Sequence, residues 1–222
     1  MKMLLSFFQR EEQCCQKMQQ MIEDGVDPAE EEKGRRCESK KKISRMESLL
    51  SLHGMETNDL IHQYHLERLG EQLQLEAGGQ SSSHGLLTVR LQFVEDLLRV
   101  EVMNARNLRP MDSNGSCDPY VKVHLLPEDK FSGITKPRTK THKKNLFPLF
   151  DETFTITLKP EQKEIKNALL YFVVKDYDMI GANEFLAEAY VPFSRIPSTE
   201  ITVGLETLPQ IHLPLSRPGN PG

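Results

Sequence analysis

An all-β fold, an eight-stranded antiparallel sandwich, is what the sequence predicts for the larger, C-terminal part of this chain. Three observations predict it. The hydrophobic period changes from helical to two at Leu87, as strands with one buried face require. Eight short apolar runs then follow within about 130 residues, separated by stretches containing Pro, Gly and Asn, with no alternating helices between them. Core-building side chains are also concentrated there, since only Phe7, Phe8 and Tyr64 of the fifteen aromatic residues precede residue 85.

The elements follow in order. Residues 1–45 are expected to be largely disordered, with a short N-terminal helix at most. The stretch 23–42 has almost no apolar side chains and carries the acidic run Glu30-Glu31-Glu32 and the basic run Lys40-Lys41-Lys42. Residues 46–77 read as an amphipathic helical segment: Leu60/Ile61, Tyr64, Leu69 and Leu73 recur at helical spacing, Asn58 suits an N-cap, and Gly78-Gly79 marks the stop. A lone helix of this kind is marginal in water, so its apolar stripe must be buried against something else. Residues 78–84, Gly-Gly-Gln-Ser-Ser-Ser-His, have linker composition. The sandwich is expected over 85–215, with a disordered tail over 216–222.

Within the sandwich, residues 87–93 alternate apolar and polar, Glu95-Asp96 turns the chain, and 98–102 alternates again, which predicts a hairpin. Further strands are expected at 120–126, 139–144, 154–158, 169–175, 186–193 and 208–215. Residues 161–167 fit a short helical turn or a loop equally well.

Composition narrows the function. At 222 residues with 38% hydrophobic side chains and a mean hydropathy of -0.48, the chain contains no apolar run approaching the roughly 20 residues of a membrane-spanning helix. A cytosolic protein is the default. The four cysteines, Cys14, Cys15, Cys37 and Cys117, lack zinc-site spacing and are expected as free thiols. Residues 1–84 carry 11 Lys and Arg against 15 Asp and Glu, net -4, whereas 85–222 are balanced at 17 against 17. Neither half has the charge of a nucleic-acid binder. No Gly-rich phosphate loop, H-E-x-x-H or Ser/His/Asp grouping argues for an enzyme.

Two loops carry the chemistry. The first runs from Met111-Asp112 to Asp118-Pro119-Tyr120; the second from Asp176-Tyr177-Asp178 through Met179-Ile180 to Glu184. Convergence of both loops at one end of the sandwich would bring Asp112, Asp118, Asp176, Asp178 and Glu184 into one cup. Five carboxylates repel one another unless a cation joins them. Calcium suits them, accepting six to eight oxygen ligands in flexible geometry, whereas zinc would require His or Cys. Turn chemistry alone is the competing reading, because Asp, Asn and Gly favour turns in any case. A second feature is the run Lys136, Arg138, Lys140, His142 and Lys144, whose alternation lines one face of a strand and suits a phosphoinositide headgroup or an acidic partner. Protection of an exposed edge against aggregation explains the same lysines.

These residues resemble a known family. The hairpin ending Ala105-Arg106-Asn107-Leu108, the loop Met111-Asp112 through Asp118-Pro119-Tyr120-Val121-Lys122-Val123, the run Lys143-Lys144-Asn145-Leu146-Phe147-Pro148 with Phe150-Asp151-Glu152-Thr153-Phe154, and Val174-Lys175-Asp176-Tyr177-Asp178 are together similar to a C2 domain of synaptotagmin-type topology. The stretch from Met46 to Arg68 resembles the chain leading from the helical rod of the UNC-thirteen/Munc priming factors, particularly the BAI-associated branch, into their C-terminal C2 domain. On this resemblance the helical segment is a remnant of that rod and the chain a truncated form.

The resemblance implies calcium bound by the five acids, with backbone carbonyls from Met111 and Tyr177. It also implies insertion of Met179 and Ile180 into an anionic membrane of phosphatidylserine or phosphoinositides. Candidate SNARE partners, a monomeric domain and a role in vesicle priming and regulated exocytosis follow from the same resemblance. So does reversible peripheral attachment at a vesicle, endosome or plasma membrane. Glu184 departs from the family's usual Asp. The alternative function is a calcium-independent protein-interaction domain whose upstream helix docks a partner.

Overall fold

The structure is a computed structural model that describes residues 57–79, 82–111, 115–178, 183–199 and 203–218. Two sheets form the sandwich. Strands β1 (Leu86–Val94), β2 (Leu97–Arg106), β4 (Leu149–Thr157), β7 (Ser198–Thr199) and β8 (Ile211–Pro214) make one, in the order β4-β2-β1-β7 with β8 also pairing β1. Strands β3 (Pro119–Leu126), β5 (Leu169–Asp176) and β6 (Glu184–Pro192) make the other, in the order β3-β5-β6. All pairings are antiparallel except the two-residue contact of β7 with β1.

The β1–β2 hairpin turns at Glu95-Asp96 as expected, with Val94 facing Leu97 and Glu95 at φ 49°. The expected strand over 139–144 does not form. Its chain runs beside β3, with Thr139 N donating to Val121 O at 2.9 Å and His142 N to Pro119 O at 3.0 Å. Pro137 has no N–H to give, and the Thr139 hydroxyl takes the Val121 N–H at 3.0 Å, so the ladder reduces to one bridge between Lys122 and Arg138. The eighth strand is instead Ser198–Thr199, too short for periodicity to reveal. In the 161–167 stretch a four-residue helical turn, α2 (Pro160–Lys163), forms with Pro at its start and Gln162 Oε1 accepting from Lys159 N at 3.0 Å.

Helix α1 (Thr57–Gly78) ends before Gly79 at φ +60°, where the sequence places its stop. It packs on the outer face of β5 and β6. Strand β5 is therefore buried on both sides: Leu170, Phe172 and Val174 join the core between the sheets, while Leu169, Tyr171 and Val173 meet Leu66 and Leu69 of α1. Such two-sided burial explains why Leu169-Leu170-Tyr171-Phe172-Val173-Val174 is uniformly apolar rather than alternating.

The expected docking stripe on α1 is only partly used. Leu69 is buried and Leu60 and Tyr64 half-buried, but Ile61 and Leu73 are exposed. The seam is carried by polar side chains instead. Arg68 Nε donates to Glu188 Oε1 at 2.7 Å and its Nη2 to Ser216 Oγ at 2.8 Å; Arg68 also bonds Glu71. Gln72 spans the edge of β6, donating to Tyr190 O at 2.9 Å and accepting from Tyr190 N at 2.7 Å. His65 shares a 3.0 Å hydrogen bond with the Tyr190 hydroxyl and lies against Tyr171, which stacks on Tyr190 at 4.8 Å. Burial lowers the His65 imidazole from 6.5 to about 3. Burial pushes the Glu188 carboxyl upward, and Arg68 draws it back.

Candidate functional site

Strand register brings the acidic positions together. Pro119 faces Asp176 across β3–β5, and Asp176 faces Glu184 across β5–β6, so Asp118, Asp176 and Glu184 stand at one end of the three-stranded sheet. Asp118 N donates to Asp176 Oδ1 at 2.6 Å, and Tyr177 N returns to Asp118 O at 2.9 Å. Lys144 N donates to Asp118 Oδ1 at 2.8 Å. The Asp118 and Asp176 carboxylates are thus fixed by backbone donors. Asp176 is buried, Asp118 half-buried, and Asp178 and Glu184 are exposed.

The feet of both loops are closed by hydrogen bonds. Met111 N reaches Ser116 O at 3.0 Å in the first, and Asp178 N reaches Asn183 Oδ1 at 3.1 Å in the second. Asn183 was invisible to a search for charged ligands, although an Asn beside Glu184 is a recognisable loop-closing signal. The Met111 side chain packs against the core, with Arg217 Nη1 3.9 Å from its sulfur, and Tyr177 is 38% exposed. Asp112, Met179 and Ile180 lie outside the described residues.

The donor set is carboxylate oxygen, the chemistry calcium prefers. Among the described residues no three His, Cys, Asp or Glu side chains form a group able to hold a metal ion by themselves.

The basic run is not a uniform face. Lys136 is committed to Glu128, 3.1 Å away, and Arg138 lies 4.0 Å over the Tyr120 ring with Nη2 donating to Thr141 Oγ1 at 3.0 Å. A hydrogen bond from His124, with Lys136 beside it, holds the Glu128 carboxyl down at about 2. His142 turns edge-on to Phe150 at 5.1 Å. Lys140 and Lys144 are exposed; Lys140 N donates to Glu152 Oε1 at 2.7 Å. Alternation fails to line these residues up because the segment is not a regular strand.

Elsewhere, a cleft of about 460 Å³ between β4 and residues 133–137 is lined by Thr135, Thr153, Thr155 and Thr157 with apolar neighbours and no titratable group. Cys117 is buried, its Sγ donating to Asn145 O at 3.7 Å; the other cysteines lie outside the described residues.

Comparison with known proteins agrees with this architecture. The C2 domain family profile matches residues 96–208. Protein unc-13 homolog 4B of Drosophila melanogaster is 42% identical over 158 residues, covering 71% of this chain and 13% of that protein. Protein unc-13 homolog D of Homo sapiens is 35% identical over 78% of this chain and 16% of its own length. BAI1-associated protein 3 of Mus musculus is 34% identical over 78% of the chain and 15% of its own. A C2 domain of RIM from Drosophila is a solved structure with 25% identity and a TM-score of 0.48, covering 60% of this chain and 98% of that one. The chain thus spans 13 to 16% of the length of these curated relatives. The chain belongs to the C2 domain family, and its domain fits those of the unc-13 group.

Proposed function

We propose that this C2 domain is a calcium-dependent phospholipid-binding module acting in vesicle priming, regulated exocytosis and membrane trafficking. The observation that carries the reading is the 2.6 Å hydrogen bond from Asp118 N to Asp176 Oδ1, with Asp176 in register with Glu184. It supports a cup whose carboxylates are oriented before any ion arrives.

In this reading Asp112, Asp118, Asp176, Asp178 and Glu184 hold the ion, with carbonyls from Met111 and Tyr177. Bound calcium supplies positive charge among the carboxylates and coordination positions that lipid phosphate oxygens fill. Before that, five carboxylates give the loop end about five negative charges, which an anionic leaflet disfavours. Lys144 N–H and Asp118 N–H keep two of the carboxylates in place, so little reorganisation opposes binding. Met179 and Ile180 enter the interface, while exposed Lys140 and Lys144 face acidic headgroups or an acidic partner such as a SNARE protein. The attachment is peripheral and reversible, at the cytoplasmic face of a vesicle, endosome or plasma membrane. Among the described residues no helix is long and apolar enough to cross a membrane.

Co-sedimentation with vesicles of phosphatidylcholine and phosphatidylserine tests this. The wild-type chain is expected to pellet with calcium, and Asp176→Asn/Asp178→Asn to lose that gain. Equal pelleting of both proteins in calcium and in chelator would refute the switch. A calcium-independent protein-interaction domain would then remain.

A further inference from the structure

We propose that Phe147 and Leu149, with the cations around them, form a second lipid-contacting foothold beside the acidic loops, one that works without calcium. Among the described residues these are the most exposed large hydrophobic side chains, at 60% and 59%. They lie on an anchored stretch of backbone. Asn145 N donates to Cys117 O at 2.9 Å, Leu108 N to Leu146 O at 3.2 Å, Ala105 N to Pro148 O at 3.0 Å, and Phe147 N to Asn145 Oδ1 at 2.8 Å.

The chain bends at Leu146-Phe147 and enters β4 at Leu149. Leu146 packs on the core and Pro148 and Phe150 are buried, so Phe147 and Leu149 are left on the outside. Single exposed hydrophobics are ordinary, but two at i and i+2 on a pinned segment make a local apolar patch.

Charge selects the occupant. Exposed Lys143 and Lys144 stand four and three residues before Phe147, and exposed Arg106 lies two residues beyond Asn104, the register partner of Leu149; these three cations outnumber the one exposed acid that follows, Asp151. Cations flanking an aromatic and an aliphatic side chain match an anionic lipid surface, where headgroup charge lies directly above hydrocarbon. Position agrees. Lys144 N–H holds the Asp118 carboxylate and Asn145 N donates to Cys117 O, so the segment that carries the patch is tied at its start to the acidic end of the sheet. This foothold rests on the membrane-binding reading above, but it draws on different residues and a different force. It gives the domain weak prior contact with a bilayer that calcium then strengthens.

The chain contains no tryptophan, so Phe147→Trp introduces a sole indole at the proposed contact. In chelator, its emission is expected to shift to the blue on vesicles of phosphatidylcholine and phosphatidylserine, and to stay unchanged on pure phosphatidylcholine. The pair Phe147→Ser/Leu149→Ser is expected to weaken binding in chelator about tenfold, the effect of removing one partly buried aromatic and one aliphatic contact, while calcium still raises binding. Both positions are exposed, so the fold tolerates the change. Unaltered indole emission on vesicles that the wild-type chain binds in calcium overturns the foothold and leaves the calcium switch standing. A shift that needs calcium overturns the calcium-free contact, and an equal shift on pure phosphatidylcholine overturns the role of the cations. Failure of the wild-type chain to bind anionic vesicles in either buffer overturns the membrane-binding reading itself.

Discussion

Replacing Arg68 with Met should unseat helix α1 from the sandwich. Arg68 is 7% exposed and its guanidinium meets Glu188, itself 2% exposed, at 2.7 Å; it also reaches Ser216 at 2.8 Å. Methionine keeps much of the stem packing and removes the charge. Glu188 is then left buried with hydroxyl donors such as Tyr171 at 3.1 Å and no cation to offset its desolvation. Breaking a buried pair from one side costs about 3–5 kcal/mol, which for a unit of this size lowers Tm by about 10 °C.

The assay is thermal unfolding of the full chain by circular dichroism at two pH values. With Arg68 gone, burial alone governs Glu188 and raises its carboxyl pKa in the folded state. A raised folded pKa confers stability that is complete below the unfolded value of 4.5 and is lost as pH rises through the folded value. The deficit of Arg68→Met should therefore be smaller at pH 5 than at pH 8. Arg68→Met/Glu188→Met should recover most of the loss, because neither charge is then stranded. A Tm for Arg68→Met within about 2 °C of wild type, or a deficit independent of pH, would refute the reasoning.

Three more outcomes are expected. His65→Phe should reduce acid sensitivity: the folded imidazole titrates at about 3 against 6.5 unfolded, so its stabilising contribution is complete above pH 6.5 and falls toward pH 3. The wild-type chain should thus lose about 2–3 kcal/mol more than the variant between pH 7 and 4.5, as measured by urea unfolding. Gln72→Leu should strand the Tyr190 N–H and C=O at the edge of β6 for about 2–4 kcal/mol, with faster amide exchange at Tyr190 as the readout. Gly85→Ala should cost about 2–3 kcal/mol in the same denaturation assay. Gly85 sits at φ +100°, and an added Cβ would stand 2.4 Å from Arg106 O and 2.8 Å from Asn107 O, both backbone atoms unable to yield cheaply.

The sandwich was legible because strand periodicity is a one-dimensional signal: the hairpin at Glu95-Asp96 and the run beginning at Leu169 both declare themselves in the chain. Strand 139–144 was misread because alternation cannot reveal that Pro137 withholds a donor and that the Thr139 hydroxyl substitutes for a carbonyl. The helix was legible as a helix but its docking face was not. Apolar spacing points to Leu60/Ile61, Tyr64, Leu69 and Leu73, of which Leu69 is buried but Ile61 and Leu73 are exposed, whereas burial also falls on His65, Arg68 and Gln72, polar residues whose partners Tyr190 and Glu188 are more than a hundred positions away. The uniformly apolar run in β5 was the available hint that something covers its outer face. Strand register sets Asp118, Asp176 and Glu184 at one sheet end, a cross-strand relation that loop composition alone does not give. The exposure of Phe147 is not legible in the sequence, because it depends on what the neighbouring strand covers.

The seam between α1 and β6 also determines where the packed unit ends. The family profile begins at residue 96 and stops at 208, yet a cut at those limits would remove Gln72 and Ser216 from the β6 edge and uncover Tyr171 and Tyr190. It would also leave Glu188 without its counter-charge. An expressed fragment keeps the seam only if it includes residues 57–78 and the stretch through Ser216, because helix α1 is clamped along the side of the sandwich by those contacts.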